Sequence, residues 1–227
     1  MEVTPSKEPI ELFINKDISI EKIQEIFPKN KNPEDLRITD IGVYSITKKN
    51  EAFFITNLIT KFFGNEKLSI TDSTACIGGN SISFLLNEQV NHVNCVELNK
   101  LHFDILKSNI KSYKDFDKVT FINDNYLKVM NDIKQDVIFF DLPWGGVDYK
   151  KNEQIMLGLY DDNNNYIKIS DIINEQKNRT KLQVLKLPLN FDFTNFFHEI
   201  NYNKIKIHKI FNKFTKKLCY FLVILVN

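Results

Sequence analysis

Apolar positions along this chain follow two rhythms that take turns. Short runs rich in Val, Ile and Phe occupy Leu68 to Asp72, Val93 to Glu97, Val119 to Ile122, Asp136 to Asp141 and Leu182 to Leu187, and each predicts a strand. Between them the apolar spacing lengthens to that of a helix, at Ser81 to Asn87, Asn99 to Lys111 and Ile169 to Lys177. Strand and helix alternating in this way predict an α/β domain built on a mostly parallel sheet. A helical stretch at Phe193 to Ile200 is followed by two strands in succession, the alternating Lys204 to Ile210 and the apolar Cys219 to Val226. They predict an antiparallel hairpin that closes a seven-stranded sheet.

Upstream the pattern is weaker. Ser19 is placed to cap a helix carrying Ile20, Ile23, Ile26 and Phe27, and the polar run Pro28 to Pro33 breaks it. Residues 1–37 therefore read as a partly helical arm that could cover a cleft, and 38–227 as the domain proper. Phe53, Phe54, Leu58, Ile59, Phe62 and Phe63 share one helical face between Asn50 and Phe63, with Gly64 as the closing cap. Asp161 to Asn165 reads as a solvated loop. Leu218 to Val226, the most apolar run, is about half of the roughly 20 residues a membrane helix requires and is rich in strand formers.

Composition narrows the classes of function. The chain has 227 residues, 43% of them hydrophobic, which suits one globular domain with a short extension. A formal net charge of +1 excludes a global field for nucleic acid, so any RNA contact must rest on a local lysine cluster. Lys204, Lys206 and Lys209 read first as a solvated strand face. Cys76, Cys95 and Cys219 lie far apart with no ligand or disulfide spacing, and His92, His102, His198 and His208 show none either. A reducing, intracellular compartment without a metal site is expected, and the opening residues carry no export pattern. The abundance of Lys, Asn and Ile matches an AT-rich coding genome such as that of a parasite or a large DNA virus.

The candidate chemistry begins where the fourth strand ends, in Asp141-Leu142-Pro143-Trp144-Gly145-Gly146. A buried parallel strand delivers reactive groups at its carboxyl end. Pro143 fixes the loop, the glycines permit backbone closed to other residues, and Trp144 offers a flat face the size of a nucleobase. After the first strand, Asp72-Ser-Thr74-Ala75-Cys-Ile-Gly78-Gly-Asn80 places a glycine pair in a strand-to-helix turn where backbone can approach a cofactor. This is neither the dinucleotide nor the phosphate-loop fingerprint, and an ordinary tight turn would look similar. Glu97 ends the second strand, where an acid can accept from ribose hydroxyls or favour a helix start; Asp124, after the third, can accept from an adenine amino group or serve a polar turn. Acids at four successive strand ends together describe the pocket of a class I methyltransferase dependent on S-adenosyl-L-methionine.

Within that class, Ile41 to Thr47, Asp72 to Ser81, Asp136 to Tyr149 and Lys181 to Asn190 occur in the order and spacing of the trimethylguanosine synthases, which the region from about residue 38 onward resembles. The resemblance implies a Rossmann-like domain that methylates the exocyclic N2 of a 7-methylguanosine RNA cap. It implies that Thr47, Asp72, Thr74, Ala75, Gly78, Asn80, Glu97, Asp124, Asn125 and Asp141 hold S-adenosyl-L-methionine. Asp141, Leu142, Pro143 and Trp144 would carry the transfer, while Ser45, Trp144, Tyr149 and Asn190 would meet the capped RNA, with Tyr149 reaching the cap phosphates. A monomer in nucleus or cytoplasm is expected, or in a viral factory for a large DNA virus, without membrane or metal partners. Two departures stand out: Asp141-Leu142 replaces the family's usual Ser-Pro, and Leu189 stands where it commonly has Arg. Arg37, Lys48, Lys150 and Lys151 are candidates for the missing charge. An N6-adenine methyltransferase and a noncatalytic cap-binding subunit of the same fold remain as alternatives.

Overall fold

The computed structural model describes residues 18–113 and 116–227, so the first seventeen residues of the expected arm lie outside the described residues. In chain order the elements are α1 (Ile20–Ile26), α2 (Asp40–Ser45), α3 (Lys49–Thr60), β1 (Leu68–Asp72), α4 (Gly79–Leu85), β2 (Val90–Val96), α5 (Lys100–Lys111), β3 (Val119–Ile122), α6 (Tyr126–Val129) and β4 (Val137–Phe140). There follow β5 (Gly158–Tyr160), β6 (Tyr166–Lys168), α7 (Ile169–Gln176), β7 (Leu182–Leu187), α8 (Phe193–Glu199), β8 (Lys204–Phe211) and β9 (Leu218–Val226). Seven strands form one sheet in the order β3-β2-β1-β4-β7-β9-β8. The pairs β1–β2, β2–β3 and β4–β7 are parallel, and β9 runs antiparallel to both β7 and β8. The expected α/β fold with a closing hairpin is the observed one.

Strand chemistry follows position. Every residue of β4 and β7 is buried, as parallel strands covered on both faces require. At the sheet's edge β8 is largely exposed and carries three lysines, a charge pattern that discourages edge-to-edge association.

Two compact units divide the chain, one running to Tyr126 and the other from Leu127 to Asn227. In the first, Ser19 caps α1 by accepting from the Lys22 amide at 3.3 Å, and Ile23, Ile26 and Phe27 are buried. The segment that follows is stitched to the end of α5. Tyr113 donates its hydroxyl to the Pro28 carbonyl at 2.9 Å, and buried Asn109 accepts from the Arg37 amide while donating to the carbonyls of Arg37 and Ile77. Burial pushes the Tyr113 hydroxyl up to about 12.

In the second unit an aromatic cluster of Phe191, Phe193, Phe196 and Phe221 anchors α8 against the sheet. The expected solvated loop at Asp161 to Asn165 is observed, as the exposed tip of a small hairpin, β5 and β6, closed by the Asp161 carboxylate accepting from the amide and side chain of Asn165. Those hydrogen bonds hold the Asp161 carboxyl below its usual range. Strands of three residues are too short to display an alternation.

Candidate active site

In the first unit the turn after β1 is held from several sides. Asp72, 1% exposed, accepts from the Ser81 hydroxyl at 2.6 Å, which ties the strand end to the first turn of α4. Cys76 adopts a left-handed conformation at φ 49°, uncommon for a residue with a side chain, and its amide donates to Glu97 Oε2 at 2.8 Å. Glu97 Oε1 accepts from the Asn99 amide at 2.7 Å, so two backbone donors orient this carboxylate just beyond β2. Asn123 bridges the ends of β3 and β2 by donating to the carbonyls of Glu97 and Leu98. Asp124 is half-buried and accepts from the amide of buried Asn125.

A close approach of backbone explains the second glycine of this turn. A side chain at Gly79 would meet the Ile46 side chain at 2.5 Å and the Thr47 carbonyl at 2.7 Å. The segment after α2 therefore lies directly on the start of α4, which joins Thr47 to the turn. Asn80 donates to the Thr47 hydroxyl at 3.1 Å, and its own amide oxygen is buried with no hydrogen-bond partner among the described residues. Thr74 is half-buried and Ala75 buried; Ser45, at the end of α2, is exposed.

His102 belongs to this scaffold although its spacing reveals nothing. Its Nε2 lies 3.1 Å from the hydroxyl of Thr39, which caps α2 by accepting from the Gly42 amide, and its Nδ1 lies 3.9 Å from Cys76 Sγ. Burial lowers its pKa from the ordinary 6.5. The unfolded chain thus binds a proton near pH 6.5 that the folded state declines until lower pH, so stability is level above that point and falls as pH drops through it. Urea unfolding at pH 7.5 and 5.5 should show wild type losing stability on the acid side and His102→Gln losing distinctly less. Equal losses would remove His102 from this role.

The second unit carries the aromatic loop. β4 ends at Phe140, Leu142 is 2% exposed and anchors the exit, and Gly145 and Gly146 turn the chain at φ 95° and 72°. Half-buried Trp144 meets Tyr149 edge to face, with ring centres 5.2 Å apart and planes at 72°. The Trp144 Nε1 is buried without a hydrogen-bond partner among the described residues. Over the indole, 5.5 Å from its centre, stands the ammonium of Lys186, which donates to Asp141 Oδ2 at 2.9 Å and also lies 5.2 Å from the Tyr220 ring. The side chains of Lys186 and Asp141 are 9% and 14% exposed.

Lys186 is absent from the residues expected at the site, although a cation inside the apolar strand LQVLKL carries a signal. A lysine in a fully buried strand must find a partner. Asn190 lies beside the loop, but both observed donor contacts of its amide are internal, to the carbonyls of Tyr149 and Asn152 at 2.9 Å each. It clamps the loop, leaving a buried amide oxygen without a partner among the described residues. Next to it a groove of about 820 Å³ is lined by Lys151, Asn152, Glu153, Gln154, Leu189, Asn190 and Phe191. Leu189 is 48% exposed there. Among the expected sources of charge, Lys151 pairs with Asp148 at 2.7 Å, Lys150 lies over the Tyr149 ring, and Arg37 donates to the Glu34 carbonyl. Burial, and then the neighbouring Cys219, raise the pKa of Tyr149, which keeps its hydroxyl neutral. Among the described residues no cluster of three His, Cys, Asp or Glu suits a metal ion, and no helix is long and apolar enough to cross a membrane.

Comparison with known proteins gives a consistent picture. The model of a family described as RNA cap guanine-N2 methyltransferase matches residues 68–225, a span that takes in all four strand-end acids and the Trp144 loop. Protein L320 of Acanthamoeba polyphaga mimivirus, itself uncharacterized, is 32% identical, with 77% of each chain covered. A human methyltransferase 10 domain containing protein matches with a TM-score of 0.57 at 12% identity, over 80% of this chain and 83% of that one. Methanocaldococcus jannaschii Trm5 in complex with adenosine matches with a TM-score of 0.51 at 14% identity, over 85% of this chain. The chain spans about half the length of that archaeal protein, 54%. Likeness at such identities is one of fold, Rossmann-like and shared with methyltransferases.

Proposed function

This chain belongs to the RNA cap guanine-N2 methyltransferase family, and we propose that it transfers a methyl group to the exocyclic N2 of a 7-methylguanosine RNA cap. That it is a methyltransferase of RNA dependent on S-adenosyl-L-methionine follows from the family. The observation that carries the finer reading is Trp144, a half-buried indole at the carboxyl end of β4, within a loop that its own glycines and Asn190 hold in shape.

The turns after β1, β2 and β3 suit the methyl donor. Glu97, oriented by two backbone amides, is an acceptor for ribose hydroxyls, and the unpartnered amide oxygen of Asn80 is an acceptor for a further donor group. Asp72, Thr74, Ala75, Gly78 and Thr47 shape the same turn, and Asp124 with Asn125 supplies polar groups after β3. When bound, S-adenosyl-L-methionine supplies a sulfonium methyl group that the acceptor nitrogen can attack.

The loop after β4 suits the acceptor. The N2 lone pair is delocalised into the guanine ring, so the amine must be held in line, with its hydrogens directed at acceptors. The Asp141 carboxylate and the carbonyls of Leu142 and Pro143 serve as these acceptors, and Lys186 fixes Asp141 in place. Holding two reactants in line replaces the entropy of an encounter and contributes roughly 7–11 kcal/mol, so little general-base strength is required. The proton released from N2 passes to Asp141 or to water. Trp144 stacks on the purine. The 7-methyl group makes that purine cationic, and a cation over a desolvated Trp face gains about 2 kcal/mol. Lys186 already lends positive charge to the ring, but Asp141 compensates it, and the pair acts on the indole as a dipole rather than a bare cation.

One observation favours a second reading. Asp141-Leu142-Pro143-Trp144 keeps an acid where the resembling family usually has Ser, and Asp-x-Pro-Trp also serves transfer to the N6 of adenine. Incubation with labelled methyl donor and three RNAs, one 7-methylguanosine-capped, one uncapped and one adenine-rich, separates the two. Label confined to the capped RNA is expected, and label on all three in proportion to adenine would replace the cap reading by the adenine one.

A further inference from the structure

We propose that the β8–β9 hairpin is the docking surface for the RNA chain that follows the cap, a single-stranded polyanion held by charge and base stacking. The inference rests on the reading above and extends it from the cap to the body of the substrate.

Charge is the first observation. Residues 200–227 contain six lysines and no Asp or Glu; the 30 Lys and Arg less these six leave 24 against 29 acids in the preceding 199 residues, a net of −5. The near-neutral total therefore conceals a polar distribution, with its positive end on this hairpin. A local lysine field of this kind is what a polyanion requires when the whole molecule offers none.

The hairpin tip is the second. Asn212 shapes it by accepting at its side-chain oxygen from the amides of Phe214 and Thr215, 2.9 Å each, and its own amide donates to the Lys217 carbonyl at 2.8 Å. The turn presents Phe214 at 88% exposure and Phe211 at 54%, among exposed Lys213, Lys216 and Lys217. No ion pair holds these three lysines among the described residues. Edge protection accounts for Lys204, Lys206 and Lys209 along β8, but not for a phenyl ring in solvent at the tip. Aromatic rings interleaved with lysines form the surface on which single strands bind without regard to sequence.

Position is the third. β9 runs antiparallel to β7, with Leu187 opposite Phe221 and Leu182 opposite Val226, so β9 begins at the carboxyl end of β7. At that end Tyr220 lies 5.2 Å from the Lys186 ammonium, which stands over Trp144. Lys217 is three residues before Tyr220, roughly 10 Å at the rise of an extended strand. The tip thus projects from the edge that carries the stacking indole, within reach of the first nucleotides of an RNA whose cap rests there.

The test compares the cap dinucleotide m7GpppA with capped RNAs of increasing length, for wild type, for Lys213→Glu/Lys216→Glu/Lys217→Glu and for Phe214→Ala. Wild-type KM should fall with RNA length, and the triple variant should forfeit that gain by at least about tenfold with kcat on the dinucleotide unchanged. Its binding of uncapped RNA, read by fluorescence anisotropy, should show a salt slope shallower by about 2, since each phosphate that a lysine no longer neutralises removes about 0.7 from the slope. Phe214→Ala should forfeit a smaller part of the same gain. Identical KM values on long capped RNA for wild type and both variants would overturn the proposal, as would a tip that binds anionic vesicles or a protein while RNA binding is unaffected. The anisotropy arm needs no methyl transfer: uncapped RNA released by the triple variant supports the surface even if no cap is methylated, and that outcome would count against the proposed reaction alone.

Discussion

Trp144→Ala is expected to lower kcat/KM on capped RNA by roughly 5-fold to 150-fold through lost stacking alone and to leave affinity for S-adenosyl-L-methionine within about twofold. Stacking of a base on an aromatic side chain contributes about 1–3 kcal/mol, and each 1.36 kcal/mol is a factor of ten. The cation–π share comes on top, but Lys186 over the same ring already occupies part of that field, so the two do not add in full. Donor affinity should hold because the acids that would bind it, Asp72, Glu97 and Asp124, stand at or just beyond the ends of β1, β2 and β3 and draw their observed hydrogen bonds from Ser81, Cys76, Asn99 and Asn125. Steady-state kinetics and a calorimetric titration read the two quantities separately. An unchanged kcat/KM, or an equal fall in both, would show that the indole is not the substrate platform.

Lys186→Met should have the larger effect on stability. Methionine fills a similar volume beneath Trp144 and Tyr220 but leaves Asp141, 14% exposed, without its ion-pair partner. Breaking a buried pair costs about 3–5 kcal/mol, and the residual solvent access of Asp141 argues for the lower end, about 3 kcal/mol. For a chain of this size that is a fall in Tm of roughly 6–12 °C. Asp141→Asn combined with Lys186→Met removes both charges and should recover most of the Tm. Activity should stay low in the double variant, because the carboxylate that orients the acceptor amine is gone. Recovery of stability and activity together would mean that the pair is a structural fastening and no part of the reaction.

The fold is largely legible in the sequence because its signals are local. Continuous Val, Ile and Phe mark β4 and β7 as strands covered on both faces, and Ser19 and Asn99 mark helix starts with their own side chains. The strand-end acids are legible for the same reason, since each stands within two residues of the end of a recognisable strand. What these acids touch is not. Asp141 and Lys186 are 45 residues apart in sequence and meet only because β4 and β7 pair in parallel, with Phe140 opposite Leu185. The family resemblance makes Asn190 a substrate contact, yet its donors are directed at the Tyr149 and Asn152 carbonyls 41 and 38 residues away. His102 gives no ligand spacing, and its part in joining α2 to the turn after β1 emerges only when Thr39 and Cys76 come to its two nitrogens. Pairings of this range are products of tertiary structure, and composition or periodicity does not contain them.

The most direct measurement is the identity of the methylated nucleoside. RNA bearing a 7-methylguanosine cap is incubated with enzyme and methyl donor, digested to nucleosides and resolved by mass spectrometry, beside the same RNA with an unmethylated guanosine cap. Guanosine methylated at both N2 and N7 is expected from the first, with roughly tenfold less N2 methylation from the second, about what removal of the cation–π contribution allows. Methyladenosine as the sole product, or equal N2 methylation of both caps, would contradict an indole that selects a cationic purine.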